Sequence, residues 1–301
     1  MIIVNIYGGL GNQMFQYALG RSLSQKLNTS LKIDYSINLT RKDFNPDDIP
    51  SIFDIFNINV EKATIQEIRK FKASNKYSIL KNIYIYIINK YPIFFKTKFK
   101  LIKETNSDFN RLIMSLSGNC YLSGYWQSEK YFINIKDLIW ENFNIKNPLE
   151  RDNLEVAKKI ENSVSVSIHL RGRDYITKSE TNKIHFTCDN SYYERSINYI
   201  LERVKNPAFF IFSDDPEWAK SFLKINYPCT FVEGNSWNKK SFEDLRLMSL
   251  CKHNIIANSS FSWWAAWLNK NPNKIVIAPV KWFNDSSRNS KDIIPNSWIK
   301  I

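Results

Sequence analysis

The second half of the chain alternates short apolar runs with longer amphipathic segments, and this rhythm constrains the fold more than any other feature. Strands are predicted at 164–170, 208–212, 230–232, 255–257 and 275–278, and helices at 191–204, 216–223, 241–251 and 261–268. Such alternation is typical of a parallel, doubly wound α/β sheet. Ligands of these sheets bind at the carboxyl ends of the strands, so polar residues there become candidate site residues.

The first half begins with a single unit of the same kind. An apolar strand at 2–7 leads through a glycine turn into a helix at 13–27 and a second strand at 31–35. Residues from about 40 to 140 are predicted to be mainly helical. A polar segment with Pro148 marks a boundary, so we expect domains at 1–150 and 151–301, each Rossmann-like.

Composition narrows the class of protein. The 301 residues are 44% hydrophobic, which excludes a disordered chain. The cysteines at 120, 188, 229 and 251 form no C-x-x-C motif and are expected to be reduced thiols. The N-terminus lacks the basic region of a signal peptide, so a cytoplasmic protein is expected.

The net charge of +13 is concentrated in one segment. Between Lys76 and Lys103 there are seven lysines, seven aromatic residues and no acidic residue. The apolar run 83–88 inside it is far below the roughly 20 residues of a spanning helix. Peripheral contact with an anionic membrane, on the inner face of the membrane, is one interpretation. A core-facing helix pair with a solvated lysine face is the other. Nucleic-acid binding has no motif behind it and is not expected.

The first candidate site is the glycine loop after the first strand. Gly9, Gly11 and Asn12 precede a helix, whose N-terminal amides attract anions. A dinucleotide fingerprint would need glycine where Met14 stands, although Asp34 is placed like a ribose-binding acid. A plain strand-to-helix turn is the alternative to an anion-binding loop.

The second candidate site follows the strand at 164–170. His169, Arg171, Arg173 and Asp174 lie within six residues of one another. Arginine can bind a diphosphate through two parallel hydrogen bonds and neutralise its charge. A structural ion-pair cluster is the alternative.

Two further candidates follow other strands of the same half. Asp214 is expected to contact a base, whereas Asp215 either does the same or caps the helix beginning at Pro216. Ser259 and Ser260 precede another helix and can both cap it and donate to phosphate. The tryptophans at 263 and 264 are expected in the core.

No metal site is predicted. The three histidines are scattered at 169, 185 and 253, and the chain contains no D-x-D. A departing diphosphate would therefore be neutralised by arginine and helix dipoles.

Five blocks together resemble the bacterial α-1,2-fucosyltransferases, enzymes that fucosylate galactose in O-antigens and H-type glycans. The blocks are GGLGNQMFQYA (8–18), GYWQSEKYF (124–132), SIHLRGRDY (167–175), FSDD (212–215) and NSSFSWW (258–264). The resemblance implies a GT-B fold with two domains facing a cleft, GDP-β-L-fucose as the donor, inversion at the anomeric carbon and no metal requirement. It also implies a galactose-terminated acceptor, which would be lipid-linked. One departure stands out: the family reads H-x-R-R-G-D-Y, and here Gly172 and Arg173 are transposed.

The resemblance assigns roles to the candidate residues. Arg171, with Arg173, would neutralise the diphosphate, helped by the amides of Gly9–Asn12 and by Ser259 and Ser260, while His169 and Asp214 would contact the guanine. Asp174 is the first choice for the catalytic base and could instead orient Arg171; Glu180 and Glu129 are the alternatives.

Rival functions are transfer of another GDP-sugar, a different linkage, or non-catalytic binding of glycan or membrane.

Overall fold

The computed structural model describes residues 1–36, 51–73, 99–171, 187–235, 240–285 and 290–301, with the side chains of 72 and 73 left out. These residues divide into two compact units. The first unit holds the described residues up to Asn144 together with Lys291–Ile293, and the second holds the described residues from Ile145 to Ser290 together with Ile294–Ile301. The roles expected for the two domains stay predictions.

A five-stranded parallel sheet forms the first unit, with strand order β3-β2-β1-β5-β4. Its strands are β1 (Ile2–Asn5), β2 (Leu31–Asp34), β3 (Glu61–Lys62), β4 (Phe99–Lys103) and β5 (Asn119–Ser123). Its helices are α1 (Leu10–Lys26), α2 (Ile52–Ile55), α3 (Ile65–Ala73) and α4 (Lys136–Asn142), with 3₁₀ turns at Ile113–Ser115, Glu129–Tyr131 and Ile133–Ile135.

The expectation that residues 40–140 are mainly helical is wrong at β4 and β5. These strands pair with each other in parallel, and β5 also pairs with β1 in the centre of the sheet. Cys120, Tyr121 and Leu122 are all buried, because helices and neighbouring strands cover both faces of a central parallel strand. A short apolar run of this kind has no period that separates strand from helix.

A six-stranded parallel sheet forms the second unit, with strand order β11-β10-β9-β6-β7-β8. Its strands are β6 (Val164–Leu170), β7 (Pro207–Ser213), β8 (Cys229–Phe231), β9 (His253–Ile255), β10 (Val276–Ala278) and β11 (Ile299–Lys300). Its helices are α5 (Arg151–Glu161), α6 (Asn190–Leu201), α7 (Pro216–Phe222), α8 (Ser241–Leu250) and α9 (Ser260–Leu268). The predicted α/β architecture is confirmed here strand by strand, and only the edge strand β11 was not anticipated.

The core of the second unit packs helix side chains onto the central strands. Ile168, Phe209 and Ile255 are fully buried on β6, β7 and β9, and Tyr193 of α6 packs against them in the same cluster. Burial of each such side chain contributes about 1.5–3 kcal/mol. The sheet therefore gives a rigid base to the loops that follow its strands.

None of the helices among the described residues is long and apolar enough to cross a membrane. Most of the basic segment, residues 76–98, lies outside the described residues. Its last five residues, Phe99–Lys103, form β4. Membrane contact by this segment stays a prediction.

A buried polar cluster joins α5 to α8. The Nδ2 group of Asn235 donates to Oδ1 of Asp244 at 2.9 Å, and Asn153 and Asn235 exchange two hydrogen bonds at 2.8 and 3.0 Å. Burial raises the pKa of Asp244 to about 7. Ionisation of this carboxyl group is therefore unfavourable in the folded chain.

We predict that Asp244→Asn raises the Tm at pH 8 and leaves it nearly unchanged at pH 4.5. The folded-state pKa of Asp244 lies above its unfolded value, so its contribution to stability is present at low pH and is lost as the pH rises through about 7. The neutral amide avoids that loss and can still accept from Asn235. Thermal unfolding of both proteins at the two pH values tests this, and an equal shift at both would contradict it.

Candidate functional site

The order of strands in the second unit creates a switch point between β6 and β9. The chain proceeds from β6 outward through β7 and β8, and then returns to the other side of β6 as β9. The loops after β6 and β9 therefore leave the sheet in opposite directions and open a crevice at the carboxyl ends of these strands. Arg171 directly follows β6, and Ser259 lies four residues after the end of β9.

Arg171 and Ser259 meet at this switch point. Nη1 of Arg171 donates a hydrogen bond to Oγ of Ser259 at 3.3 Å. The same Oγ accepts from the backbone N–H of Phe261 at 3.3 Å, so Ser259 is the N-cap of α9. A guanidinium group and a helix N-terminus thus lie together, and both favour an anion. Ser260, the first residue of α9, is half-buried beside them.

His169 is the penultimate residue of β6, two positions before Arg171. Its side chain is buried, its ring centroid is 5.8 Å from that of Phe261, and its Nδ1 has no hydrogen-bond partner among the described residues. Burial, with a smaller contribution from the positive charge of Arg171, lowers the pKa of His169 to about 3. The imidazole is therefore neutral at physiological pH, and Arg171 is the only positive charge of this pair.

The two aspartates after β7 differ in role. Asp215 is the N-cap of α7, because its Oδ1 accepts from the N–H of Trp218 at 3.0 Å and Pro216 occupies the first helical position. Of the two roles considered for Asp215, the helix cap is the one found. Asp214 is half-buried and directly follows Ser213, the last residue of β7. Because Leu170 pairs with Ser213 in the register, Asp214 follows the strand next to Arg171.

The tryptophans of α9 belong to the core, as predicted. Trp263 and Trp264 are fully buried, and their ring centroids are 5.1 Å apart. Trp298 packs on Trp263 at 5.4 Å. These contacts anchor α9, and so they fix the position of its N-terminus relative to the sheet.

The glycine loop of the first unit also lies at a switch point, between β1 and β5. Gly8 has a φ of +82°, a conformation that side chains rarely adopt. Gly9 is the N-cap of α1 and has no side chain to satisfy the helix amides. The N–H of Asn12 donates to the carbonyl oxygen of Gly9 at 2.9 Å. One of the amides expected to bind an anion is therefore already used by a hydrogen bond within the first helical turn.

The side chains of α1 brace this loop. Oε1 of Gln16 accepts from the N–H of Tyr7 at 3.0 Å, and Nε2 of Gln13 donates to the carbonyl of Gly8 at 2.9 Å. Gly11 is buried in the same turn. Asp34, considered as a ribose ligand, is buried and accepts from the hydroxyl of Tyr121 at 2.6 Å. That carboxylate therefore has a structural partner.

Several predicted site residues lie outside the described residues. These are Arg173, Asp174 and Glu180, so their roles stay predictions. Glu129, the third alternative for the base, begins the 3₁₀ turn Glu129–Tyr131 in the first unit and is half-buried. Among the described residues there is no group of three or more His, Cys, Asp or Glu side chains that could hold a metal ion.

Sequence reasoning gave no role to the turn after β5. Gly124, Tyr125, Trp126 and Gln127 were noted only as part of a motif shared with the family. In the structure this turn lies at the same switch point as the glycine loop, and Nε2 of Gln127 donates to Oδ1 of Asn12 at 2.7 Å. The sequence signal that could have identified it is an aromatic residue that directly follows a glycine after an apolar run, within a block shared with the family.

We predict that Ser259→Ala lowers the free energy of unfolding by about 1 kcal/mol, the usual cost of losing a helix N-cap. The variant also removes the acceptor of the Arg171 hydrogen bond. Ser259→Thr keeps the hydroxyl and should remain close to the wild type. Urea unfolding of the three proteins provides the test, and equal stability of the Ala variant and the wild type would show that the cap is dispensable.

Comparison with known proteins identifies a family whose model covers the whole chain. The family model described as glycosyl transferase family 11 matches residues 1–301. An α-1,2-colitosyltransferase of Escherichia coli is 35% identical over 100% of this chain and 99% of its own length. The O-antigen biosynthesis glycosyltransferase WbnK of Escherichia coli is 34% identical over 98% of each chain.

The similarity of this chain to a solved structure concerns the fold alone. A variant of FUT1 of Arabidopsis thaliana, solved in complex with GDP, has a TM-score of 0.52 and 11% identity over 98% of this chain and 72% of its own. The predicted GT-B-like α/β class is confirmed by such neighbours. The resemblance inferred from the five sequence blocks is confirmed as well: this chain belongs to glycosyltransferase family 11.

Proposed function

We propose that this protein is a galactoside α-1,2-fucosyltransferase of O-antigen biosynthesis. It moves L-fucose from GDP-β-L-fucose to the 2-hydroxyl of a galactose, with inversion at the anomeric carbon. One observation carries the proposal: in a chain of family 11, Arg171 is held by Ser259 at the N-terminus of α9, where the second sheet has its switch point. The linkage is supported by the α-1,2-colitosyltransferase, which shares the whole length of the chain.

The diphosphate of the donor is assigned to Arg171 and the N-terminus of α9. A diphosphate needs positive charge and N–H donors, and these two elements supply both. Arg173 and the hydroxyl of Ser260 add further donors in this proposal. The guanine is assigned to Asp214, whose carboxylate can accept from the N–H groups of the base, and to Nδ1 of His169, which none of the described residues contacts by a hydrogen bond.

In the proposed reaction the bond between the fucose anomeric carbon and the diphosphate oxygen breaks, and the electron pair leaves with GDP. Arg171 stabilises the charge that develops on that oxygen. The galactose 2-hydroxyl attacks the opposite face of the oxocarbenium-like centre and gives its proton to a carboxylate. Asp174 is the proposed base, with Glu180 and Glu129 as alternatives. Because Arg171 and the helix dipole supply the positive charge, we propose that no divalent metal is required.

We predict that Arg171→Ala lowers kcat/KM by about 10²-fold or more, because charge stabilisation of the leaving group is lost. Arg171→Lys keeps the positive charge but not the bidentate geometry, so its kcat/KM should lie between that of the wild type and that of Arg171→Ala. Arg195→Ala, which removes an exposed arginine of α6, is the matched control and should keep full activity. The assays are run in EDTA; wild-type activity in Arg171→Ala, or loss of all activity in EDTA, would contradict the proposed roles.

A second candidate donor is GDP-colitose, favoured by the name of the 35% identical relative. Colitose is fucose without its 3-hydroxyl group. A site whose polar groups hydrogen-bond the 3-hydroxyl of fucose strongly disfavours colitose, because those groups would be left unpaired. An apolar site discriminates only weakly between the two sugars. We predict a higher kcat/KM for GDP-fucose than for GDP-colitose or GDP-mannose, with methyl β-galactoside as the acceptor and the linkage determined on the product. A preference for GDP-colitose would transfer the proposal to that donor.

Contact with an anionic membrane remains a proposal supported by the seven lysines of the basic segment. Such contact would bring the protein close to an acceptor that is built on a lipid carrier in the membrane. Sedimentation with anionic vesicles tests it, and binding that does not weaken with salt would contradict an electrostatic contact.

A further inference from the structure

We propose that Tyr125 and Tyr7, with the amides of Asn12 and Gln127, form the surface on which the acceptor pyranose binds. This inference rests on the proposed function and names the residues that hold its acceptor. All four residues lie at the switch point of the first sheet, where the glycine loop after β1 meets the turn after β5. We call this group the tyrosine–amide surface.

Two aromatic rings provide its apolar part. The ring centroids of Tyr7 and Tyr125 are 5.2 Å apart, and Tyr125 is 39% exposed. A single exposed tyrosine is ordinary on a protein surface, but here two rings in contact lie just after the carboxyl ends of neighbouring strands and form a small apolar platform. The face of a pyranose carries C–H groups that pack well against such a ring.

Two amides provide its polar part. Nε2 of Gln127 donates to Oδ1 of Asn12 at 2.7 Å, which fixes the orientation of both side chains. Nδ2 of Asn12 can still donate and Oε1 of Gln127 can still accept, which is the pairing that a sugar hydroxyl needs. Gly8 has a φ of +82°, and a Cβ there would crowd Nδ2 of Asn12 at 3.3 Å, whereas its distance of 3.7 Å from Cε1 of Tyr125 would be ordinary van der Waals contact.

A strained turn presents Tyr125 to solvent. Trp126 has a φ of +58°, which is rare for a bulky residue, and its side chain is buried. Oε2 and Oε1 of Glu104 accept from the N–H groups of Tyr125 and Trp126 at 2.6 and 2.9 Å. Because Trp126 turns inward, Tyr125 points outward. Backbone strain that surrounding contacts maintain is concentrated at functional sites.

The charge of the surface identifies its ligand. Tyr7, Asn12, Tyr125 and Gln127 contribute phenol and amide groups and no guanidinium, ammonium or carboxylate group, in contrast to Arg171 at the switch point of the second sheet. A diphosphate would find no cation among these four side chains, whereas an uncharged polyol needs none. The tyrosine–amide surface therefore fits the neutral acceptor sugar and not the nucleotide.

The test compares Tyr125→Ala, Tyr125→Phe and the control Tyr227→Ala, which removes a 47% exposed tyrosine of the second unit. Tyr125→Ala should raise the KM for methyl β-galactoside at least about tenfold, the effect of losing one substantial contact. The KM for the donor and the Kd for GDP should not change. Tyr125→Phe keeps the ring and should restore most of the affinity, and Tyr227→Ala should behave as the wild type.

A second measurement separates this inference from the proposed function. Saturation-transfer NMR detects methyl β-galactoside bound to the protein in the presence of GDP, and it needs no turnover. If the wild type binds the galactoside and Tyr125→Ala does not, the inference stands even if GDP-fucose proves to be the wrong donor. It is overturned if the wild type fails to bind the galactoside, if Tyr125→Ala binds it normally, or if Tyr125→Ala loses GDP affinity in parallel.

Discussion

The hydrogen bond from Arg171 to Ser259 links the two features on which the second unit depends. One is a positive charge at the end of the central strand β6, and the other is the N-terminus of α9. The guanidinium group is positioned by an oxygen that also caps the helix, so charge and helix dipole are fixed in the same place. Burial keeps the neighbouring His169 neutral, so this histidine adds no second charge that would repel Arg171. The proposed stabilisation of a leaving diphosphate follows from this arrangement.

The two units differ in topology, because β5, the last strand of its sheet, lies beside β1, whereas β9, the fourth strand of its sheet, lies beside β6; they nevertheless share one feature. Each has a parallel sheet whose strand order reverses next to its first strand, and each places a helix N-terminus at that point. In the second unit the described residues there include an arginine and two capping or flanking serines. In the first unit they include two tyrosines and two amides. The contrast between a charged and a neutral surface is what assigns the nucleotide to one unit and the acceptor sugar to the other in our proposal.

Most of the second unit could be predicted from its sequence, because each buried strand is flanked by a turn and followed by an amphipathic helix. Asp215 and Pro216 predict the start of α7, because they are a typical N-cap and first helical residue. Ser259, another typical N-cap residue, predicts the start of α9. The first unit was harder. β4 (FKLIK) carries two lysines and β5 (NCYLS) has only three consecutive apolar residues, so neither shows a clear strand period, and the sequence pattern there predicts helix. The proposed role of Tyr125 depends on the half-buried carboxylate of Glu104, which lies 21 residues away in sequence and holds the turn only in the folded chain.

The binding position of GDP tests the central claim most directly. A crystal structure of the full chain with GDP should show the diphosphate within hydrogen-bonding distance of Arg171, with a phosphate oxygen at the N-terminus of α9. Nucleotide bound instead on the glycine loop of the first unit, with its diphosphate out of reach of Arg171, would contradict the account.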